Sequence, residues 1–259
     1  MIRLHFITIL FLILIIPVNG QEFKKGEWVG LFNGKDFENW IIKFTGHELN
    51  DNYKNTFSAK DGVLKVSYDE YERFNGEFGH IFYKDKFSNY RIRLEYRFIG
   101  EQIKGGPEWG LLNSGIMLHS QSPESMRKDQ NFPVSIEAQF LGDDGSGKRS
   151  TGNVCTPGTN IVMHGKLITE HCIAVSNKIF PPGQWVPVEI EVHGDSLIKH
   201  IINGEVVCEY GKPQLDETDS YAQKLIKKGN HLLNEGYIAL QAESHPVEFR
   251  NIKIMVLDK

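Results

Sequence analysis

Short stretches of alternating apolar and polar residues, each ended by Gly, Asn, Asp or Pro, run along most of the chain. Because successive side chains of a strand point to opposite faces, this alternation predicts β-strands that bury one face. The dipeptide Asn203-Gly204 between two such stretches predicts a hairpin, since a type I′ turn needs positive φ at both central residues. Helical periodicity is confined to one short segment, Tyr221 to Lys227. The pattern predicts an all-β sandwich or barrel.

Residues 1–20 have the features of a secretory signal peptide. Arg3 supplies a positive charge, residues 9–16 form an unbroken apolar run, and small residues surround a cleavage point after Gly20. The apolar run is shorter than the roughly 20 residues that a membrane-spanning helix needs, so no membrane span is predicted. We therefore expect a secreted or periplasmic mature chain, residues 21–259.

The mature chain is expected to form a single domain. Its length is typical of one all-β sandwich, and no linker or internal repeat divides it. The formal net charge is -4, and no run of Lys and Arg is present to follow a phosphate backbone. Nucleic acid is therefore not expected as a partner.

Two of the three cysteines are predicted to form a disulfide. Cys155 and Cys172 flank a strand-like stretch, and export to an oxidising compartment favours their pairing. Cys208 lies within another predicted strand and is expected to be a free thiol in the core. A zinc site is the alternative, but the sequence lacks the Cys-x-x-Cys spacing that would support it.

Charged and amide side chains share one parity in several predicted strands, opposite the apolar residues. The side chains that this parity turns away from the core are Glu95, Arg97, His119, Glu137, Gln139, Gln241 and Glu243. On one sheet they would converge on a binding site. Alternatively, neighbouring Arg and Glu form cross-strand pairs that contribute about 0.2–1 kcal/mol each. Aromatic rings predicted near loops, Trp109, Tyr83 and Phe74, would suit the C–H face of a sugar.

Several short motifs follow one another along nearly the whole mature chain. They are Leu31-Phe32-Asn33-Gly34-Lys35-Asp36, Phe87-Ser88-Asn89-Tyr90, Leu94-Glu95-Tyr96-Arg97, Asn113-Ser114-Gly115-Ile116, Ile136-Glu137-Ala138-Gln139, Gly236-Tyr237-Ile238-Ala239-Leu240-Gln241 and Pro246-Val247-Glu248-Phe249-Arg250-Asn251-Ile252. In order and spacing the chain resembles the 3-keto-disaccharide hydrolase domain family, also described as 3-keto-glycoside hydrolases or lyases. The resemblance implies a concanavalin A-like jelly roll, a sandwich of two antiparallel sheets. The chain departs from the family pattern at His119, where many relatives carry Arg, and at Glu243-Ser244, where they carry His-Gly.

The resemblance also implies a substrate and a reaction. The substrate is a small carbohydrate whose C3 hydroxyl has been oxidised to a ketone by a separate sugar 3-dehydrogenase. The ketone acidifies the C2 proton, so a base can remove it and the C1 substituent can leave by β-elimination. Addition of water then completes a net hydrolysis.

Roles for individual residues follow from this implied chemistry. The predicted catalytic residues are Glu137, Glu243, His119 and Arg97, and the predicted substrate-binding residues are Glu95, Gln139, Gln241, Trp109 and Asn113. Glu137 is expected to act as base or metal ligand, Glu243 as acid or second carboxylate, and Arg97 or His119 as the group that stabilises the enolate. A divalent metal ion bound by Glu137, Glu243 and His119 is an alternative to the cationic side chain.

Two other functions fit parts of the sequence. A retaining glucanase of this fold usually carries Glu-x-Asp-x-x-Glu on one strand, but the corresponding stretch reads Glu137-Ala138-Gln139-Phe140-Leu141-Gly142, which argues against it. A non-catalytic, lectin-like glycan-binding module suits the same polar and aromatic residues. Buried charges that converge would favour the enzyme, whereas a row of exposed rings would favour the binding module.

Overall fold

The computed structural model describes residues 21–258, which form seventeen β-strands and four short 3₁₀ turns. The strands are β1 (Trp28–Gly30), β2 (Trp40–Phe44), β3 (Phe57–Lys60), β4 (Val63–Val66), β5 (Gly79–Tyr83), β6 (Asn89–Phe98), β7 (Asn113–Ser120), β8 (Ile136–Leu141), β9 (Asn153–Cys155), β10 (Thr159–Met163), β11 (Lys166–Ile168), β12 (Cys172–Ile173), β13 (Val186–His193), β14 (Leu197–Ile202), β15 (Glu205–Leu215), β16 (Tyr237–Ala242) and β17 (Val247–Val256). The 3₁₀ turns are Tyr53–Asn55, Glu108–Gly110, Pro123–Ser125 and Ala222–Lys224. The predicted all-β class is confirmed, and the predicted helix is reduced to the last of these turns. The predicted signal peptide lies outside the described residues.

The strands form two antiparallel sheets. The larger sheet has ten strands in the order β11-β10-β15-β14-β13-β6-β17-β4-β3, with β1 paired to β17. The smaller sheet has seven strands in the order β12-β9-β8-β7-β16-β5-β2. Within residues 21–258, no helix has the length and apolar character needed to cross a membrane.

One apolar core fills the space between the sheets. Strand β6 of the larger sheet and strand β8 of the smaller sheet show how it is built. Their core side chains are Ile92, Leu94, Tyr96, Phe98, Ile136, Ala138 and Phe140. The rings of Tyr96 and Phe140 stack across the interface with centroids 4.5 Å apart. The parity predicted for both strands is confirmed, and each large apolar side chain buried in this way contributes about 1.5–3 kcal/mol.

Two local predictions are also confirmed. Asn203 and Gly204 both have positive φ, 50° and 83°, and form the two-residue turn between β14 and β15. Cys155 and Cys172 are joined by a disulfide that links β9 to β12 at one edge of the smaller sheet. Cys208 is buried and free.

Candidate functional site

The outer face of the smaller sheet, which we call the site face, carries the side chains that alternate with core residues. They are Lys43 of β2, His80 and Phe82 of β5, Ala239 and Gln241 of β16, Gly115 and Met117 of β7, and Glu137 and Gln139 of β8. All except Gln139 are buried. A sheet face with buried polar residues must be covered by neighbouring loops, so these side chains are not a solvated surface.

A cavity of about 530 Å³ opens over the part of the site face that β7 and β8 form. Its volume lies in the range of small-molecule binding sites. The predicted site residues that line it are Asn113, Glu137, Gln139, Trp109 and Glu243. The remaining wall consists of Phe132, Leu141, Arg149, Pro157, His171 and the Cys155–Cys172 disulfide. The structure therefore brings five of the predicted residues together around one cavity.

Two carboxyl groups, Glu137 and Glu243, are buried beside this cavity with only 6% and 4% of their surface exposed. Among the described residues, Oε1 of Glu137 and Oε2 of Glu243 have no hydrogen-bond partner. Burial raises the pKa of Glu137 to about 8. Burial also raises the pKa of Glu243 well above its ordinary value, and the negative charge of Glu137 raises it further. Both carboxyl groups therefore keep their protons to higher pH than an exposed carboxyl group does, and ionisation of Glu137 opposes ionisation of Glu243.

The position of the Glu137 carboxyl depends on a glycine in the neighbouring strand. The Glu137 side chain lies across Gly115 of β7, where a Cβ atom would collide with Oε1. Any other residue at this position would displace the carboxyl group. Glu137 can therefore occupy this position only because Gly115 has no side chain.

Three amide side chains accompany the carboxyl pair. Asn113 donates from Nδ2 to the carbonyl oxygen of Trp109 at 3.0 Å, and Gln139 donates from Nε2 to Oδ1 of Asn113 at 3.4 Å. These bonds orient Asn113 and Gln139 and leave further polar atoms for a ligand. Gln241 is fully buried, and both of its side-chain polar atoms are without a partner among residues 21–258.

An aromatic wall borders the cavity. Trp109 is 49% exposed and stacks on Phe78 with centroids 5.5 Å apart, and Phe132 packs against the same Phe78 ring at 4.9 Å. Of the three rings predicted to meet a sugar, Trp109 alone lies in this wall. Tyr83 and Phe74 are buried in the core, because β5 extends through Tyr83 and the loop around Phe74 folds inward.

Arg149 and Phe132 line the cavity, although the sequence pattern did not indicate them. Arg149 donates from Nε to the carbonyl oxygen of Gly142 at 3.3 Å and from Nη2 to that of Leu111. These bonds fix the guanidinium group in the cavity wall. Both residues lie in loops, where strand parity gives no side-chain direction.

The predicted convergence of Glu95 and Arg97 with Glu137 is wrong. Both lie on β6 and point away from the core on the outer face of the larger sheet, across the sandwich from the cavity. Glu95 accepts from Arg250 at 2.6 Å, and Arg97 donates to Glu248 at 2.7 Å. Each pair joins opposed residues of β6 and β17, so the alternative of cross-strand ion pairs is confirmed.

The predicted direction of the His119 side chain is also wrong. His119 has a positive φ of 47° at a point where the register between β7 and β16 shifts. A bulge of this kind adds a residue to one strand and interrupts the alternation of side chains. Nε2 of His119 donates instead to the carbonyl oxygen of Gly194 at 2.9 Å, in the turn that links β13 to β14.

The metal ligands predicted from the sequence do not assemble. His119 is bound to Gly194, and no group of three or more His, Cys, Asp and Glu side chains is suitably placed in the described part of the chain. The cavity offers two carboxyl groups, Glu137 and Glu243, with the amide oxygen of Gln139 nearby. This donor set does not fit the predicted mixed histidine and carboxylate site.

The carboxyl pair predicts an unusual dependence of stability on pH. A carboxyl group with a raised pKa keeps its proton in the folded state at a pH where the unfolded chain has lost it. The free energy of unfolding therefore falls as pH rises from about 4.5 through the raised pKa values. We expect wild type to lose on the order of a few kcal/mol between pH 5 and pH 9, and Glu243→Gln to lose less.

Urea unfolding at pH 5, 7 and 9 measures this effect. Glu95→Gln is a matched control because the ion pair with Arg250 lowers the pKa of Glu95. The ion pair of Glu95 stabilises the fold above the pKa that Glu95 has in the unfolded chain, and this stabilisation is lost as pH falls. Glu95→Gln should therefore leave the loss of stability between pH 5 and pH 9 unchanged. If the free energy of unfolding fell equally in wild type and Glu243→Gln between pH 5 and pH 9, the raised pKa of Glu243 would be contradicted.

Comparison with known proteins agrees with this architecture. Residues 27–255 match the family described as a 3-keto-alpha-glucoside-1,2-lyase-like domain. The chain is 27% identical over 250 residues to the 3-keto-disaccharide hydrolase of Bacteroides thetaiotaomicron, a match that covers 89% of this chain and 79% of that protein.

Two solved structures share the fold. One is a proposed glycosyl hydrolase of Parabacteroides distasonis, with a TM-score of 0.54, 22% identity, and coverage of 89% of this chain and 100% of that one. The other is a Bacillus subtilis protein with a galectin-like fold, with a TM-score of 0.52, 11% identity, and coverage of 92% and 100%. The predicted jelly-roll sandwich is thus confirmed. Because the family match spans most of its length, the chain belongs to the family of 3-keto-alpha-glucoside-1,2-lyase-like domains.

Proposed function

We propose that the chain is a glycoside hydrolase that cleaves 3-keto-glycosides by proton abstraction at C2, β-elimination and hydration. The observation that carries the proposal is the buried pair Glu137 and Glu243, whose pKa values are both raised beside one cavity. When two carboxyl groups lie close together, the charge of one opposes ionisation of the other, so one can act as a base while its neighbour keeps a proton and acts as an acid. Membership of the family and the relative named 3-keto-disaccharide hydrolase support the substrate class.

In the first step Glu137 acts as the base. Its carboxylate takes the C2 proton, and the electrons of the C2–H bond form an enolate across C2 and C3. The negative charge that develops on the C3 oxygen needs a positive or hydrogen-bonding partner. Arg149, held in the cavity wall by Gly142 and Leu111, takes the role that the sequence had suggested for Arg97 or His119.

In the second step Glu243 acts as the acid. The enolate electrons re-form the C3 carbonyl and make a C1–C2 double bond, while the C1–O bond breaks. Glu243 gives its proton to the departing oxygen, which leaves as an alcohol. Water then adds to C1: Glu243, now a carboxylate, takes a proton from that water, and Glu137 returns its proton to C2. The sum of these steps is hydrolysis.

The remaining cavity residues bind the substrate in this proposal. The exposed ring of Trp109 offers a face for the C–H groups of a pyranose. Asn113 and Gln139, which orient each other through a hydrogen bond, contact sugar hydroxyl groups. The alternative of a lectin-like module is less well supported, since buried carboxyl groups with raised pKa values favour catalysis over recognition.

The proposal implies partners and a compartment. A sugar 3-dehydrogenase must act first, because the substrate needs a ketone at C3. The Cys155–Cys172 disulfide supports a secreted or periplasmic location. If a divalent ion binds here, Glu137 and Glu243 are the side chains that would hold it, but the proposed reaction proceeds without one.

Incubation with a 3-keto-glucoside and with its unoxidised parent tests the function. We expect release of the aglycone from the keto sugar alone, equally with and without EDTA. Cleavage of the parent would indicate a conventional glycosidase, and binding without cleavage would indicate a glycan-binding module. Loss of activity with EDTA, restored by a divalent ion, would show that a metal takes part.

A further inference from the structure

A second group of buried polar atoms lies on the site face, on the neighbouring strands β5 and β16. His80 of β5 pairs in register with Gln241 of β16, and both side chains are completely buried. Within residues 21–258, neither ring nitrogen of His80 and neither polar atom of the Gln241 amide has a hydrogen-bond partner. A buried polar group without a partner is destabilising by about 1–3 kcal/mol, so four such atoms side by side indicate a place for a ligand.

The hydrogen-bonding groups of His80 and Gln241 favour an uncharged ligand. Burial lowers the pKa of His80 to about 3, so its ring is uncharged and offers one donor and one acceptor. Gln241 likewise offers an NH₂ donor and an oxygen acceptor. The nearest cation on this face, Lys43, already donates to the carbonyl oxygens of Phe44 at 2.7 Å and His47 at 3.0 Å. Sugar hydroxyls, which each donate and accept, match this set better than an anion does.

The Phe132 side chain contacts both the cavity and His80. Phe132 lines the cavity and meets the His80 ring edge to face, with centroids 6.0 Å apart. Gln130 donates to the carbonyl oxygen of Phe132 at 2.8 Å and to Oε1 of Gln121 at 2.8 Å. The backbone of this loop is therefore fixed, and rotation of the phenyl ring is the smallest movement that connects the cavity with His80.

We propose that His80 and Gln241 form a subsite for two hydroxyl groups of the bound sugar, which becomes accessible when the Phe132 side chain rotates. This inference rests on the function proposed above. In that reaction the sugar carbons C1, C2 and C3 lie at Glu137 and Glu243. Gln241 lies on β16, two residues before Glu243, which follows the end of that strand. The hydroxyl groups of a glucoside that lie farthest from these reacting carbons are those at C4 and C6.

Binding of defined sugars to His80→Leu tests the subsite. The probes are methyl α-glucoside, its 4-deoxy and 6-deoxy analogues, and methyl 3-keto-α-glucoside, the last measured in a Glu137→Gln background that cannot consume it. We expect His80→Leu to raise the Kd of both complete sugars about ten-fold, equivalent to 1.4 kcal/mol. At least one deoxy analogue should bind the variant and its parent equally well, because the contact is already missing.

Stability distinguishes a ligand subsite from a structural histidine. His200 is the matched control: it is also fully buried, but its nitrogens are bonded to the carbonyl oxygen of Gly152 at 2.9 Å and the Tyr210 hydroxyl at 2.8 Å. His80→Leu should keep or raise Tm, since it removes atoms that have no partner, whereas His200→Leu should lower Tm by several degrees. Gln241→Leu provides the second variant if His80→Leu does not fold.

The outcomes separate this inference from the proposed function. If His80→Leu and Gln241→Leu bind every sugar as tightly as their parents while wild type cleaves the keto sugar, the two side chains hold only buried water and the subsite is overturned. If the variants lose affinity but wild type cleaves no keto sugar, the subsite stands and the proposed reaction is wrong. If wild type binds none of these sugars, both are overturned.

Discussion

Glu137→Gln should lower the rate of 3-keto-glycoside cleavage by about 10²–10⁴-fold, the usual contribution of a general base. Glutamine keeps the shape of glutamate but cannot accept the C2 proton. Because the substitution also removes a buried group whose pKa is raised by burial, we expect the variant to fold and to be at least as stable as wild type near pH 8.

Exchange of the C2 proton with solvent isolates the first step of this reaction. Wild type in D₂O should incorporate deuterium at C2 of the keto sugar, and Glu137→Gln should not. Glu95→Gln makes the same chemical change on the opposite sheet, where Glu95 pairs with Arg250, and should exchange and cleave at the wild-type rate. Full exchange by Glu137→Gln would assign the base to another residue.

The pH profile provides an independent readout of the same residue. The base must be ionised, and burial raises the pKa of Glu137 to about 8. Therefore kcat/KM should rise with pH from 5 to about 8 in wild type. The small residual activity of Glu137→Gln should lack this rise. A profile that is flat above pH 5 would mean that the essential base has an ordinary carboxyl pKa.

Side-chain alternation predicted which face of a strand is buried, but not which sheet the strand joins. In β8 it placed Ile136 and Phe140 in the core and Glu137 outside it, as the structure shows. The same reasoning placed Glu95 on the outer side of β6, which is also correct. Whether β6 and β8 share a sheet depends on pairing between distant parts of the chain, and local alternation carries no information about that pairing.

Other errors have a local physical cause. The bulge near the end of β7 gives His119 a positive φ and turns its ring towards Gly194. A single inserted residue of this kind leaves no clear mark in an alternating sequence. Arg149 and Phe132 come from loops whose paths are set by contacts with the folded sheets. The strands of the candidate site could therefore be predicted, whereas Arg149 and Phe132 of the surrounding loops could not.

Gly115→Ala should reduce kcat by about 10²-fold, the size expected when a catalytic group is misplaced by about 1 Å. Gly115 is not among the residues with positive φ, so its backbone accepts alanine without strain. The added Cβ would, however, overlap the Glu137 carboxyl, with Cγ at 2.7 Å and Cδ at 2.8 Å. Glu137 must move away from the substrate, while the surfaces that bind the sugar at Trp109 and Gln139 remain. KM should therefore change less than kcat.

Stability measurements show whether this effect acts through Glu137. Overpacking should make Gly115→Ala less stable than wild type by about 1–3 kcal/mol. In a Glu137→Ala background the same substitution should cost much less, because the colliding side chain is gone and the two sites are coupled. Gly30→Ala is the control, since the nearest atom to its added Cβ is the Phe32 carbonyl oxygen at 3.9 Å. If Gly115→Ala lost the same stability in the wild-type and Glu137→Ala backgrounds, or kept its kcat, then Gly115 would not determine the position of Glu137.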